Sequence, residues 1–213
     1  HCLVNSSPRG DERLSTDAIK KIINEAVALG TSRLFFTGGE PFIRQDIFEL
    51  IEYVCNIKNV ELILLTNGTL LKGKTLERLQ EFDKARLKIQ ISLDGSKPEI
   101  NDHVRGEGSF SRIVEGIKSI VKIGYLPTVT TVVTNNNIED IPETTKLIAK
   151  LGVKTHHLLW VHKRGGVSDN GHDFFPSINK VIEVTRAVKR IAQKHGISVD
   201  NLNAYKSRAN SMR

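Results

Sequence analysis

The sequence predicts an α/β fold with parallel strands, arranged as a barrel or part of one. Segments with helical periodicity alternate with strand-like runs along most of the 213 residues. The strand-like runs begin near residues 33, 61, 87, 127 and 154, and most of these starts are about 30 residues apart, the length of one strand–helix unit. Repeated units of this kind favour a parallel sheet with crossover helices.

The helices are predicted from apolar residues at helical spacing. They cover 15–30, a segment through Ile47 and Val54, 75–82, a segment that Ser109 caps and Gly124 ends, 138–151 and a long segment from Ile178 to Ile191. The strands are expected at 33–37, 60–66, 87–93, 128–134 and 154–162. We expect a polar inserted loop from Asp94 to Gly108 and a poorly packed end from Ser198 onward.

Composition excludes several classes of protein. The chain is 39% hydrophobic and has no stretch near the ~20 apolar residues that a membrane span needs. Its N-terminus has no signal-peptide pattern. Two cysteines are too few for a disulfide framework, so a cytoplasmic location is expected. The net charge is +7, but lysines and arginines are dispersed and aromatic residues are few, so we expect neither a nucleic-acid nor a membrane partner.

The carboxyl ends of the strands are the expected place for a ligand. All five ends become polar or glycine-rich, a pattern that single turns also show but that favours a site when five ends share one rim. In the strand from Leu87 to Leu93, apolar residues alternate with Lys88, Gln90 and Ser92, which are predicted to point into the barrel. The strand from Lys154 puts His156, Leu158, Trp160 and His162 on one face, either toward a substrate or in the core.

The segment Thr37-Gly38-Gly39-Glu40-Pro41-Phe42 is the sharpest local signal. Two glycines directly after a strand let a backbone edge approach a ligand without interference from Cβ atoms. The carboxylate of Glu40 would then suit a positively charged ammonium group. The alternative is a tight turn in which Glu40 caps the following helix.

Four motifs together resemble the radical S-adenosylmethionine (SAM) enzymes. They are His-Cys at 1–2, Thr-Gly-Gly-Glu-Pro at 37–41, Leu-Thr-Asn-Gly-Thr-Leu-Leu at 65–71 and Ile-Ser-Leu-Asp-Gly at 91–95. The resemblance extends to about residue 165. Within the superfamily, the motifs are most similar to peptide-maturation enzymes with an auxiliary-cluster domain and to molybdenum-cofactor cyclases. It implies a partial (β/α)6 TIM-type barrel that holds a [4Fe–4S] cluster on three cysteines and binds SAM.

The resemblance also implies roles for particular residues. Cys2 matches the third cysteine of the cluster motif, and Gly38, Gly39 and Glu40 match the motif that binds the SAM amino group. Ser92 matches a polar residue that reaches the ribose or carboxylate. The other matches are Asn67 and Asp94 at family-typical positions, Arg105 as a partner for the SAM carboxylate, and Thr134 with Asn135 near adenine. For Asn67 and Asp94, a turn-forming role is an equal alternative. For Arg105, the alternative is an exposed charge on a loop. Cys55 lies on an apolar helical stripe and is expected to be a buried thiol.

The implied activity is reductive cleavage of SAM to a 5′-deoxyadenosyl radical that modifies a peptide or a cofactor precursor, with flavodoxin or ferredoxin as electron donor. The first strand and two cluster cysteines are absent from the sequence, so we expect a longer parent protein with cysteines three and seven residues before Cys2. A nucleotide cyclase and a cluster-free SAM- or partner-binding module stay open as alternatives. Residues 1–196 are expected to form the barrel domain, and 197–213 a tail or the start of a C-terminal extension.

Overall fold

The computed structural model describes residues 14–160 and 175–202. Six parallel strands form one sheet in the order of the chain, from β1 to β6. The strands are β1 (Arg33–Phe36), β2 (Glu61–Thr66), β3 (Leu87–Ser92), β4 (Thr128–Val133), β5 (Thr155–Trp160) and β6 (Ser198–Asp200). The helices are α1 (Thr16–Ala28), α2 (Ile47–Cys55), α3 (Lys74–Gln80), α4 (Pro98–Arg105), α5 (Ser109–Lys122), α6 (Ile141–Lys150) and α7 (Ile178–His195). In this part of the chain, no helix is long and apolar enough to cross a membrane.

The helices pack on one face of the sheet, and this arrangement confirms the predicted α/β fold. Alternate residues of β2 and β3, such as Leu62, Leu64 and Ile89, are buried against helix residues including Ile51 and Ile117. A second cluster joins Leu158 and Trp160 of β5 to apolar residues of α6 and α7. The opposite face carries the other set of alternating side chains, because successive residues of a strand point to opposite sides. We call it the helix-free face, because the helices of the described residues pack on the other side.

Local sequence fixes where the predicted helices begin. The Ser15 hydroxyl accepts a hydrogen bond from the Ala18 N–H at 3.2 Å, so that α1 starts at Thr16. The Ser177 hydroxyl accepts from the Lys180 N–H at the start of α7. Both are N-terminal caps that satisfy an otherwise unpaired backbone donor.

The region predicted as a polar loop after the third strand contains a helix. Residues Pro98–Arg105 form α4, and Gly108 rather than Ser109 occupies the capping position of α5. The carboxylate of Asp102 supplies the cap instead, because it accepts from the Gly108 N–H at 2.8 Å and the Phe110 N–H at 2.7 Å. A cap from another helix cannot be recognised from the residue adjacent to the helix start.

The expectation of a poorly packed end from Ser198 is wrong for the first residues of that segment. Ser198–Asp200 form β6, which pairs in parallel with β5. Ile197 and Leu202 on either side are at most 9% exposed. These residues gain strand structure from the edge of β5, which their own composition does not indicate. The division into a barrel domain and an extension stays a prediction.

The two faces of β5 decide between the two environments predicted for its side chains. His156, Leu158 and Trp160 share one face as predicted, and that face lies against the helices, as the core alternative expected. His162 lies outside the described residues. The His156 ring contacts the hydroxyls of Thr145 at 3.1 Å and Thr131 at 2.9 Å and is fully buried. The three side chains therefore belong to the core, and the residues of β5 on the helix-free face are its alternate positions.

Candidate active site

The Gly38–Gly39 segment lies open at the carboxyl end of β1. Among residues 14–160 and 175–202, a Cβ atom built at either glycine would meet no heavy atom within 4 Å. Gly38 has a φ of +140°, a conformation that side chains rarely adopt. The backbone edge is therefore accessible to a ligand, as the sequence predicted, and a side chain at either position would occupy the space in front of it.

Glu40 joins this edge to the end of the neighbouring strand. Its carboxylate accepts hydrogen bonds from the Thr66 hydroxyl at 2.7 Å and the Asn67 N–H at 2.7 Å. It also caps the single 3₁₀ turn Pro41–Ile43 by accepting from the Phe42 N–H at 3.3 Å. The capping alternative is therefore correct for the free protein. A carboxylate has about four acceptor positions, so these three donors leave room for a cation.

Burial raises the pKa of the Glu40 carboxyl, and the hydrogen bonds from Asn67, Thr66 and Phe42 oppose that rise. Burial therefore disfavours the negative charge of the carboxylate, and the three hydrogen-bond donors stabilise it. A ligand ammonium group would relieve the remaining cost, because an opposite charge favours the ionised form. This electrostatic environment fits the cationic ligand group that the motif implies.

Asn67 forms a turn. Its side-chain oxygen accepts from the Thr69 N–H at 2.9 Å and the Thr69 hydroxyl at 2.7 Å, a local pattern typical of asparagine after a strand. The following Gly68 allows close packing, because a Cβ atom there would be 2.7 Å from a methyl carbon of Ile91. Asn67 therefore contributes to the site through its backbone N–H on Glu40.

Ser92 ends β3 on the helix-free face, in agreement with the predicted register. The apolar residues of β3 are buried on the other face, and Ser92 is partly exposed. Its register partner on β4 is Thr130. Ser92 is thus accessible from the side of the sheet that the helices leave open, close to the carboxyl ends of the strands.

Arg105 pairs with Asp94 inside the protein. The Arg105 Nε lies 2.8 Å from the Asp94 Oδ2, and the two side chains are 13% and 1% exposed. Burial raises the pKa of Asp94, while the Arg105 charge and the Val132 N–H, which donates to Oδ1 at 2.8 Å, oppose the rise. The exposed-loop alternative for Arg105 is wrong, and contact with the SAM carboxylate stays a prediction.

Thr134 is buried in the turn that follows β4. Its N–H and hydroxyl both contact the side-chain oxygen of Asn137, at 2.8 and 3.2 Å. The Asn137 amide nitrogen in turn donates to the carbonyls of Asp94 and Val132. The polar groups of Thr134 are thus used within the protein, and its role near adenine stays a prediction.

The structure groups the predicted residues in two places. Gly38, Gly39, Glu40 and Asn67 meet at the ends of β1 and β2, and Asp94, Arg105 and Thr134 meet at the ends of β3 and β4. Asn137, which links the second group, was missed because one asparagine in Asn135-Asn136-Asn137 is indistinguishable from its neighbours by sequence.

Of the two cysteines, the structure describes Cys55 alone. Cys2, the predicted cluster ligand, lies outside the described residues. Cys55 is half-buried beside the core, and burial raises the pKa of its thiol. Its placement agrees with a structural thiol. Among residues 14–160 and 175–202, no three His, Cys, Asp or Glu side chains are grouped as a metal site.

Comparison with known families decides the relationship. A family model described as the radical SAM superfamily matches residues 1–148. The chain belongs to the radical SAM superfamily. The match includes every motif from which the resemblance was inferred, and it begins before the described part of the structure.

The curated relatives that the chain resembles include enzymes of different kinds. An AdoMet-dependent heme synthase of Methanosarcina barkeri is 34% identical over 169 residues, 78% of this chain and 47% of that protein. The mycofactocin maturase MftC of Mycolicibacterium smegmatis is 32% identical over 178 residues, 83% of this chain and 44% of that protein. A probable GTP 3′,8-cyclase of Saccharolobus islandicus is 30% identical over 186 residues, 85% of this chain and 59% of that protein. This radical SAM chain thus spans about half the length of the curated relatives it matches.

A solved structure supports the same fold. SuiB from Streptococcus suis, in its complex with the precursor peptide SuiA, aligns with a TM-score of 0.77 over 96% of this chain and 46% of that protein. The sequence identity is 17%, so this likeness concerns the fold alone. The predicted TIM-type α/β architecture is confirmed, and so is the predicted relationship to peptide maturases and cyclases.

Proposed function

We propose that this chain is the SAM-binding barrel of a radical SAM enzyme that modifies a peptide or a cofactor precursor, with a peptide as the preferred substrate. The observation that carries the proposal is the open Gly38–Gly39 edge beside the restrained carboxylate of Glu40. An unobstructed backbone edge and a partly buried carboxylate suit a ligand that carries an ammonium group. Membership of the superfamily supports the same ligand.

The residues of this site have separate tasks in the proposal. The Gly38–Gly39 backbone offers hydrogen-bonding groups to the SAM amino group, and Glu40 keeps that edge at a fixed position relative to β2. Ser92 offers a hydroxyl from the helix-free face to the ribose or carboxylate. Arg105 compensates the charge of Asp94 at the end of β3. Without this partner, the buried carboxylate would be strongly destabilising.

The cofactors in the proposal are SAM and a [4Fe–4S] cluster with Cys2 as one ligand. When bound, they supply electron transfer and hydrogen abstraction, and the protein supplies orientation and exclusion of water. A flavodoxin or ferredoxin is the proposed electron donor, and a cytoplasmic location suits an oxygen-sensitive cluster of this type.

The peptide substrate is supported by the relatives. MftC is a maturase, and the similar fold of SuiB was solved with a precursor peptide. The heme synthase and the GTP cyclase support the second possibility, a cofactor precursor. The test below therefore includes GTP.

Substitution at Gly39 tests the cofactor site. No described residue lies within 4 Å of a Cβ atom at Gly39, and unlike Gly38 it has no strained φ, so Gly39→Val is expected to fold normally. In the full-length protein, reconstituted anaerobically, we expect Gly39→Val to weaken SAM binding at least about tenfold by calorimetry, because an isopropyl group fills the approach to the edge. Ser32→Val, at the opposite end of the same strand, is the matched control.

Three outcomes separate the alternatives. Equal SAM affinity in Gly39→Val and the unsubstituted protein would overturn the proposed site. SAM binding with no 5′-deoxyadenosine formed under reducing conditions and no iron would favour the cluster-free module. GTP consumption coupled to SAM cleavage would favour the cyclase over the peptide-modifying enzyme.

A further inference from the structure

Four polar side chains lie in register across the helix-free face. Ser92 of β3 pairs with Thr130 of β4, Thr130 with His157 of β5, and His157 with Asp200 of β6. We call these four residues the polar row. Ser92 is its only member with a role implied by the family, so the row extends from the candidate cofactor site to the last strand of the described sheet.

The polar row lies on the face where a purely structural barrel interior would carry branched apolar residues. On the opposite face of the same strands, Ile91, Val129 and Leu158 are at most 1% exposed. The two faces of β3 and β5 therefore differ in burial at the level of the polar row. Ser92 and His157 are partly exposed on the open face and Asp200 is exposed, whereas Thr130 is only 6% exposed.

His157 and Asp200 of the row are joined by a direct side-chain contact. The His157 Nδ1 lies 2.6 Å from the Asp200 Oδ1, and the imidazole remains 27% exposed. When Nδ1 carries the proton and donates it to Asp200, the Nε2 atom is left as a hydrogen-bond acceptor. Asp200 therefore sets both the orientation of the ring and the group that it presents.

The other end of the row offers hydroxyl groups. Gln90 lies on the same face of β3, two residues before Ser92. Its side-chain amide donates to the Thr130 hydroxyl at a distance of 2.6 Å. This contact uses an acceptor position of Thr130 and leaves its hydroxyl hydrogen available for donation. The row thus combines hydroxyl donors with an imidazole acceptor.

The charges of the polar row favour an uncharged amide over a triphosphate as its ligand. The polar row contains no lysine or arginine, and its one carboxylate belongs to Asp200. The lysine of β3 on this face, Lys88, lies four residues before Ser92 and donates to the Lys84 carbonyl at 2.8 Å. A triphosphate requires cationic partners, whereas an amide offers one N–H and one C=O to groups of the kind present here.

We propose that the polar row binds a backbone amide of a peptide substrate, with His157 Nε2 accepting from the amide N–H and Asp200 acting as a positioning residue. This inference rests on the proposed function and names the residues that would favour a peptide over a nucleotide. The Thr130 hydroxyl would donate to the amide carbonyl, and the Ser92 hydroxyl stays with the cofactor. The row would then hold the substrate on the same face from which Ser92 reaches the cofactor.

Nitrogen NMR of the histidine rings tests the proposal on the full-length, anaerobically reconstituted protein. The probes are N-acetylglycine N-methylamide, which carries backbone amides without charge, and magnesium GTP. We expect the amide probe, at millimolar concentration, to shift the His157 Nε2 signal, and magnesium GTP to leave it unchanged. Thr155→Val, on the same face but two residues along β5, should respond as the unsubstituted protein does.

Asp200→Asn separates positioning from packing. We expect this variant to redistribute the proton between Nδ1 and Nε2 of His157, which a purely structural carboxylate would not do. We also expect the apparent affinity for the amide probe to fall about tenfold, as expected for one charge-assisted hydrogen bond. The nitrogen shifts report the proton position directly, so the variant is informative even if its thermal stability changes.

The outcomes are distinct from those for the proposed function. A protein that binds SAM but shows no response of His157 to the amide probe would overturn the polar row alone. A response to magnesium GTP and none to the amide would also overturn it, in favour of a nucleotide substrate. A response to the amide in a protein that does not bind SAM would support the row and contradict the proposed cofactor site.

Discussion

At the scale of single residues, Glu40 shows how one side chain serves two purposes. Its carboxylate ties the exit of β1 to the end of β2 through Thr66 and Asn67, and it closes the turn at Phe42. These contacts explain its position without a ligand. Cofactor binding would use the acceptor capacity that remains, so structural and binding roles are compatible in the same residue.

His156 is a second residue whose environment has a measurable consequence. Burial, with a smaller contribution from His157, lowers its pKa from 6.5 to about 3. The folded protein therefore keeps the ring neutral over a range in which the unfolded chain takes up a proton. Stability from this group is present above pH 6.5 and is lost as the pH falls from 6.5 toward 3.

We predict that His156→Gln reduces the pH dependence of stability. Between pH 7 and 5 the buried histidine should contribute a loss of about 2 kcal/mol in the free energy of unfolding. A glutamine does not titrate, so this contribution should disappear from urea unfolding measured at both pH values. His195→Gln, at the exposed end of α7, is the control, and equal pH dependence in His156→Gln and the unsubstituted protein would contradict the prediction.

At the scale of elements, α5 approaches the turn after β2 more closely than a side chain would allow. A Cβ atom at Gly116 would lie 2.3 Å from the Gly68 carbonyl oxygen. The turn in question contains Asn67, whose N–H holds Glu40. Packing of α5 therefore supports the cofactor site indirectly, through the position of this turn.

We predict that Gly116→Ala destabilises the protein although alanine favours helices. The gain in helix propensity is about 1 kcal/mol, but the clash with backbone should cost more, giving a net loss of about 2 kcal/mol. Urea unfolding of Gly116→Ala and of Ser111→Ala, at an exposed position of the same helix, provides the comparison. A more stable Gly116→Ala would show that α5 can move away from the turn.

At the scale of the whole molecule, the sheet is unequally supported. Strand β3 pairs with β2 and β4 and lies in the larger core cluster. Strand β6 has three residues and, within the described sheet, pairs with β5 alone. Cooperative protection is therefore expected to be greatest in the middle of the sheet.

Hydrogen exchange measures this difference. We predict that backbone amides of β3 exchange on the order of 100-fold more slowly than those of β6, because opening β6 exposes much less apolar surface. Mass spectrometry of peptides that cover the two strands is the measurement. Equal protection of both strands would mean that further contacts stabilise the β6 edge.

The sequence by itself determined the alternation of helices and strands, the register of β3 and the motif that begins at Gly38. Each depends on residues close together in the chain, so periodicity, caps and short motifs record it. The family followed from four such motifs in order, which the superfamily match confirms.

Tertiary structure alone decided the contacts between distant segments. Helix α4 is mostly polar, and its Asp102 caps α5. Strand β6 exists because β5 offers it a pairing edge. The Arg105–Asp94 pair and the His157–Asp200 pair join residues on separate elements, whose side chains look like ordinary surface residues in the sequence. Their energies come from burial and distance, which only the folded chain defines.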